Sequence, residues 1–277
     1  MIDLDHLRQW IGREEVVQDL VPPSLADRFR ATFDLPGAPA RMGDAAPEMM
    51  HLCLALAAAP TAGLGPDGHP ARGGFLPPVP LPRRMWAGGA LTFHAPIRLG
   101  AMVTRRSVIR DVTMKEGRTG PLCFVTVDHR MECDGDLAVE ERHDIVYRGA
   151  DSAARATPPQ AGAAGAHHER RIPTAPLLFR YSALTFNGHR IHYDQPYVTT
   201  GEGYPGLVVH GPMQVTMLVQ LAARIRGRAP QKFDFRALSP LFDTQDFTLN
   251  ADEDGDGLRL WTAAVGGPVA MEARAAW

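Results

Sequence analysis

The stretch MQVTMLVQLAARI, residues Met213–Ile225, decides how the rest of the chain is read. It is too apolar all round for a surface helix and too short to cross a membrane, so it reads as a helix buried in a soluble core. Immediately before it stands His210-Gly211-Pro212, and Pro is tolerated in a first helical turn, where its missing N–H costs little. A helix that begins there aims free N–H groups and the positive end of its dipole at whatever lies in front. Upstream, YSALTFNGHRIHYD packs Asn187, His189, Arg190, His192 and Asp194 into eight positions. A polar cluster followed by a helix N-terminus is suited to stabilising an oxyanion beside a general base.

Downstream of the helix, strand-like runs follow at Phe233–Leu241, Thr244–Ala251, Leu258–Val265 and Pro268–Ala275. The first half repeats the order. PEMMHLCLALAAA (Pro47–Ala59) reads as a second buried helix. After a long Gly/Pro-rich loop, Pro60–Pro82, come strand-like runs at Gly89–Phe93, Val103–Val112, Leu122–Cys133 and Ala138–Tyr147. Strands grouped after a helix argue for an α+β fold with antiparallel sheets wrapped round helices, not a doubly wound parallel sheet. The Ala/Gly/Pro-rich segment 151–168 reads as a linker between units 1–150 and 169–277. Asp5–Phe33 reads as one or two amphipathic surface helices broken at Pro22-Pro23.

The chain has 277 residues, 45% hydrophobic and 22% charged, with a formal net charge of −2, which favours neither nucleic acid nor an acidic membrane surface. No signal peptide or spanning segment is evident, and Cys53, Cys123 and Cys133 read as reduced thiols of a cytoplasmic protein.

Tyr181-x-x-Leu184-Thr185, Asn187-x-His189-Arg190-Ile191-His192 and Val209-His210-Gly211 together resemble the hydratase signature of MaoC-like hotdog proteins. Leu81–Gly89 (LPRRMWAGG) resembles the double-hotdog branch that holds mesaconyl-CoA and itaconyl-CoA hydratases. The resemblance implies two central helices, each wrapped by an antiparallel sheet, and cofactor-free addition of water to an enoyl-CoA thioester. By position, His192 takes the place of the catalytic His and Gly211 that of the oxyanion N–H donor. Asn187 stands where the family has Asp, and Phe186 where it has Gly. Asn orients water but takes no proton, so acid–base work falls on His192, whose ordinary pKa suits the task.

Around these, Arg190 is a candidate for pairing with a substrate carboxylate, His189 for assisting it, and His210 for either substrate contact or packing at the helix entry. Arg190 has the alternative of pairing with Asp194 or Glu202. Asn187 holds either water or its own loop. Arg83, Arg84 and Trp86 suit the phosphates and adenine of CoA. His189-x-x-His192 is half a metal site with no third ligand near in sequence, so no metal is expected. The first half, lacking the polar set, is expected to be non-catalytic and to supply an acyl tunnel. A thioesterase, a carrier-protein dehydratase, a non-catalytic thioester-binding protein and a homodimer remain open at this point.

Overall fold

A computed structural model describes residues 2–117, 120–149 and 160–277. Ten antiparallel strands form one continuous sheet in the order β1-β3-β4-β5-β2-β7-β10-β9-β8-β6. They span β1 Glu14–Leu20, β2 Arg83–Phe93, β3 Met102–Gly117, β4 Gly120–Cys133, β5 Asp136–Arg148, β6 His167–Arg171, β7 Lys232–Ala237, β8 Phe247–Asp254, β9 Gly257–Ala264 and β10 Val269–Ala276. The helices are α1 Leu4–Arg8, α2 Pro23–Phe33, α3 Ala175–Leu184 and α4 Gly211–Arg226. This is the α+β arrangement, with antiparallel strands, that the grouping of helix and strands implies.

The two halves meet where β2 pairs with β7, Gly88 opposite Arg236 through Thr92 opposite Lys232. A Cβ at Gly89 would sit 2.2 Å from the Arg142 carbonyl oxygen of β5, so only glycine fits where β2 is flanked by strands of both halves. A bulge between Trp86 and Gly88 shifts the register of β2 against β5 and re-aims its side chains there.

α4 is the helix expected from Met213–Ile225. Its Met213, Val215, Leu218, Val219, Leu221 and Ala222 are buried together with Phe233, Leu249 and Leu260 from the strands of its own half. Each of these side chains apart from Ala222 contributes about 1.5–3 kcal/mol of transfer free energy. Gly227, at φ 71°, ends the helix in the left-handed conformation that glycine adopts without cost.

Its counterpart in the first half is not there. Pro47–Ala59 forms only a short 3₁₀ turn, Met50–Cys53, flanked by left-handed Met49 (φ 68°) and Ala55 (φ 49°). The Ala55 N–H donates to Asp19 Oδ2 at 3.0 Å, and His51 Nε2 approaches Glu141 Oε2 at 3.4 Å. These tertiary contacts outweigh the helix propensity of Met, Leu and Ala. Among the described residues the first half thus has no counterpart of α4, and residues of β2, β4 and β5 border a cavity instead.

Asp5–Phe33 is also not purely helical, since β1 interrupts it. β1 pairs with the edge of β3 from Glu14 opposite Val108 to Leu20 opposite Met102. Gln18–Thr104 (3.1 Å) and Glu14–Arg106 (2.6 Å) tie the two strands side chain to side chain. The segment expected as a linker ends earlier than residue 168, because His167 and His168 already belong to β6, paired with Ala251 and Asn250. Its residues 151–159 lie outside the described ones.

Candidate active site

The polar cluster begins where α3 stops. Thr174 caps the N-terminus of α3 through Leu177 N–H, and Thr185 Oγ1 closes the other end on the Tyr181 carbonyl at 2.8 Å. Phe186 then adopts φ 49°, the left-handed turn that the family's glycine would take freely. For a bulky side chain that conformation costs about 1–2 kcal/mol. Asn187 follows, and its Oδ1 accepts from the His189 N–H at 3.0 Å. Asn187 therefore holds its own loop, while its amide Nδ2 has no partner among the described residues and the residue borders the cavity.

That cavity, about 1570 Å³, lies between the halves and is bordered by Asn187, His189, His192 and Gly211 of the second half and by His69, Arg84 and Trp86 of the first. It exceeds the roughly 300–1,000 Å³ of a typical small-ligand pocket. Its volume accommodates a long thioester arm as well as an acyl group.

His192 is 7% exposed. Its Nδ1–H donates to the Val208 carbonyl at 2.7 Å, which fixes the tautomer and leaves Nε2 as an acceptor. Burial lowers its pKa to about 4, so the ring is neutral at pH 7. Behind it His210 stacks at 3.7 Å between centroids and binds Ser182 Oγ through Nε2 at 2.8 Å. His210 is fully buried and does not border the cavity, so it is a packing residue that backs His192, not a substrate contact. Gly211 opens α4 and borders the cavity, and its N–H has no acceptor among the described residues.

Two residues, Arg190 and Arg83, stand differently from the sequence expectation. Arg190 points away from the cavity: it pairs with Asp194 at 2.8 Å, donates to the Pro66 carbonyl at 2.9 Å and lies over the Tyr197 ring at 4.1 Å. Its Nε, Nη1 and Nη2 all have partners within the protein, and Arg190 does not border the cavity, so it is not placed to meet a substrate carboxylate there. Arg83 is likewise taken, by Glu202 (3.4 Å to its side chain, 2.9 Å to its carbonyl) and by the Tyr204 ring at 5.3 Å. Trp86 lies in the cavity wall beside the start of α4: a Cβ built on Gly211 would be 3.6 Å from its ring, and its buried Nε1–H has no acceptor among the described residues.

The long loop brings what the spacing of the second half did not reveal. Asp67 and His69 reach the cluster, and the His69 and His189 rings lie 3.9 Å apart. One carboxylate oxygen of Asp67 and one nitrogen each of His69 and His189 fall within 4.8 Å of one another, so a third potential metal ligand does stand beside His189. Burial, then the neighbouring His69 and His192, lower the His189 pKa to about 2. Burial also lowers that of His69, against the opposing hydrogen bond from Asp67.

The first half's wall of the cavity is polar as well. Glu141 lies 2.9 Å from His143 and 3.4 Å from His51, and His129 bridges His143 (3.2 Å) and Ser107 (2.7 Å). The signal was in β5: Glu141 and His143 share the alternation phase of Val139 and Ile145, where an apolar residue would be expected. For the loop, the signal was a His placed directly after an Asp-Gly turn in GPDGHP.

A double hotdog with a neutral buried histidine beside an open helix N-terminus matches one class of enzyme. Residues 49–243 match the family of hydroxyacyl-thioester dehydratase type 2. The chain is 44% identical over 266 residues to mesaconyl-C(4)-CoA hydratase of Chloroflexus aurantiacus, covering 95% of each chain. It is 27% identical over 278 residues to the mitochondrial hydroxyacyl-thioester dehydratase type 2 of Schizosaccharomyces pombe, covering 89% of this chain and 91% of that one. Among solved structures, a MaoC-like dehydratase from Phytophthora capsici superposes with TM-score 0.72 at 11% identity, covering 99% and 98% of the two chains. HtdX of Mycobacterium tuberculosis does so with 0.65 at 19%, covering 95% and 98%. The chain belongs to the hydroxyacyl-thioester dehydratase type 2 family and is a hydro-lyase of the MaoC-like hotdog type. Among the described residues no helix is long and apolar enough to cross a membrane.

Proposed function

We propose that the protein adds water across the double bond of a short dicarboxylic enoyl-CoA thioester, or removes it in reverse, with mesaconyl-CoA as the leading substrate. The observation that carries this reading is the neutral His192, with its Nε2 free, beside the unpaired Gly211 N–H at the start of α4. The thioester carbonyl sits at Gly211, where the N–H and the helix dipole draw electron density onto oxygen and make the β-carbon electrophilic. Asn187 Nδ2 donates to a water that His192 Nε2 holds from the other side. The water oxygen attacks the β-carbon and His192 takes its proton. The enolate at Gly211 collapses as His192 returns that proton to the α-carbon.

The 44% identity to a mesaconyl-C(4)-CoA hydratase supports the dicarboxylic acyl group. With Arg190 occupied, the cation assigned to the free carboxylate is Arg84. It borders the cavity, has no carboxylate partner among the described residues, and its charge acts on both His69 and His189. In this scheme the second half, 169–277, supplies His192, Asn187 and Gly211, and the first half, 1–150, supplies the wall that receives the acyl group. Every group in this scheme comes from one chain, so a homodimer would add a second complete site. We place the activity in the cytoplasm, in keeping with three free cysteines.

The test is a panel of enoyl-CoA thioesters, followed at the enoyl absorbance with a thiol reagent in parallel. The reading predicts loss of the enoyl band without thiol release, faster for mesaconyl-CoA or itaconyl-CoA than for crotonyl-CoA. Thiol release would instead mean a thioesterase, and equal or better turnover of crotonyl-CoA would remove the dicarboxylate assignment.

A further inference from the structure

The hydratase segment lacks the family's carboxylate, because Asn187 replaces it, yet a carboxylate does stand at the site. It arrives on the long loop of the other half. Gly65–Pro70 docks onto Gly188–Arg190 through the Arg190 N–H to the Asp67 carbonyl (2.9 Å) and Arg190 Nη1 to the Pro66 carbonyl (2.9 Å). The approach is so close that a Cβ on Gly68, itself at φ +85°, would fall 1.9 Å from the Gly188 carbonyl oxygen. The Arg190–Asp194 pair, set aside by substrate, thus has a task in holding this loop.

Within the turn, Asp67 grips His69 twice. Oδ1 accepts from the His69 N–H at 3.0 Å, and Oδ2 lies 3.1 Å from Nδ1. Nδ1 therefore carries the proton and Nε2 is the accepting nitrogen, without a partner among the described residues. A histidine whose Nδ1–H is held by a half-buried carboxylate is fixed in one tautomer and one orientation. Burial alone would push the Asp67 carboxyl up, but the hydrogen bonds from the His69 side chain and N–H outweigh it and hold it below the usual carboxylate range. His69 borders the cavity, its ring is 3.9 Å from that of His189, and His189 is 5.4 Å from His192.

We infer that Asp67 and His69 replace the missing aspartate, His69 being a second catalytic residue that accepts a hydrogen bond from the other hydrogen of the attacking water and Asp67 its positioning residue. The inference rests on the hydratase reading above. A water so placed donates one hydrogen to His192 Nε2 and one to His69 Nε2, accepts from Asn187 Nδ2, and keeps one lone pair for the β-carbon. During attack the new C–O bond forms as the O–H bond to His192 breaks. The remaining hydrogen stays on oxygen, held by His69, and becomes the product hydroxyl. The proton then passes from His192 to the α-carbon, so one water is added and no proton is gained or lost overall. The same atoms of Asp67, His69 and His189 suit a divalent cation, which makes a bound metal the competing outcome.

The experiment compares the full-length wild type with His69→Ala, His69→Gln and Asp67→Asn. Hydration rates are read from pH 5 to 9, with and without added imidazole, with and without a chelator, and with thermal melts alongside. His69→Ala is expected to lose about 10²–10⁴-fold in kcat with little change in KM, and imidazole to restore part of it. Asp67→Asn is expected to lose less and to change the pH profile. Unchanged kcat in His69→Ala, a loss that merely follows a lowered Tm without rescue by imidazole, or wild-type activity abolished by the chelator would each overturn the inference. A wild type that hydrates no enoyl-CoA would instead overturn the hydratase reading itself.

Discussion

Acidification should unfold this protein through its active-site histidines, and the size of the effect follows from their burial. His192 has an ordinary pKa of 6.5 and a folded one of about 4. The unfolded chain therefore binds a proton below pH 6.5 that the folded chain refuses until about pH 4. Stability is full above 6.5 and falls as the pH drops through that window, by about 1.4 kcal/mol per pH unit, or about 3 kcal/mol in all from this one ring. His189, held down to about 2, adds a comparable loss over the same range, and His210, also lowered by burial, acts in the same direction. Set against a total stability of about 5–15 kcal/mol, that is enough to bring acid unfolding well above the range where ordinary carboxylates protonate. Urea denaturation at pH 7, 6, 5 and 4.5 measures the slope. In His192→Gln the slope should be shallower by about one proton, whatever the variant does to stability at pH 7. An identical slope in wild type and variant would mean that the ring is not held neutral, and the base assignment would lose its support.

Three further outcomes follow from the same geometry. Gly211→Pro removes the oxyanion N–H at a helix position that tolerates proline, and kcat should fall about 10²–10³-fold with thermal melting showing a folded protein. Gly68→Ala cannot keep the loop docked, given a Cβ 1.9 Å from the Gly188 oxygen; limited proteolysis should find the 60–82 loop newly cleavable and the hydration rate reduced. Leu218→Ala opens a void beneath the sheet in α4, fully buried at 0% exposure, and should cost about 2–5 kcal/mol in urea denaturation.

Most of the sheet was legible because alternation and turn residues are local signals. The eight runs read as strands lie within or largely overlap β2–β5 and β7–β10, and α4 could be recognised from its unbroken apolar surface and the Gly-Pro before it. β1 was not legible, since EEVVQDL carries no strong preference and becomes a strand only by pairing with the edge of β3. The missing first helix was not legible either. Met, Leu and Ala favour a helix locally, and the contacts that prevent one, to Asp19 and Glu141, come from residues 36 and 90 positions away from Ala55 and His51 respectively. At the site, His192, Asn187 and Gly211 share one segment and one spacing, so they could be read together. Asp67 and His69 could not, because nothing in their own neighbourhood says that a loop of the other half will lie on Gly188. Arg190 shows the converse: its type and position suited a carboxylate, but its partner proved to be the Asp four residues on.

The central claim is that a neutral, buried His192 is the base of a hydratase. The most direct test is the kcat of His192→Ala on the best substrate of the panel, with folding checked by thermal melting. The account predicts a folded variant slower by about 10²–10⁴-fold. A folded variant that hydrates at near wild-type rate would contradict it.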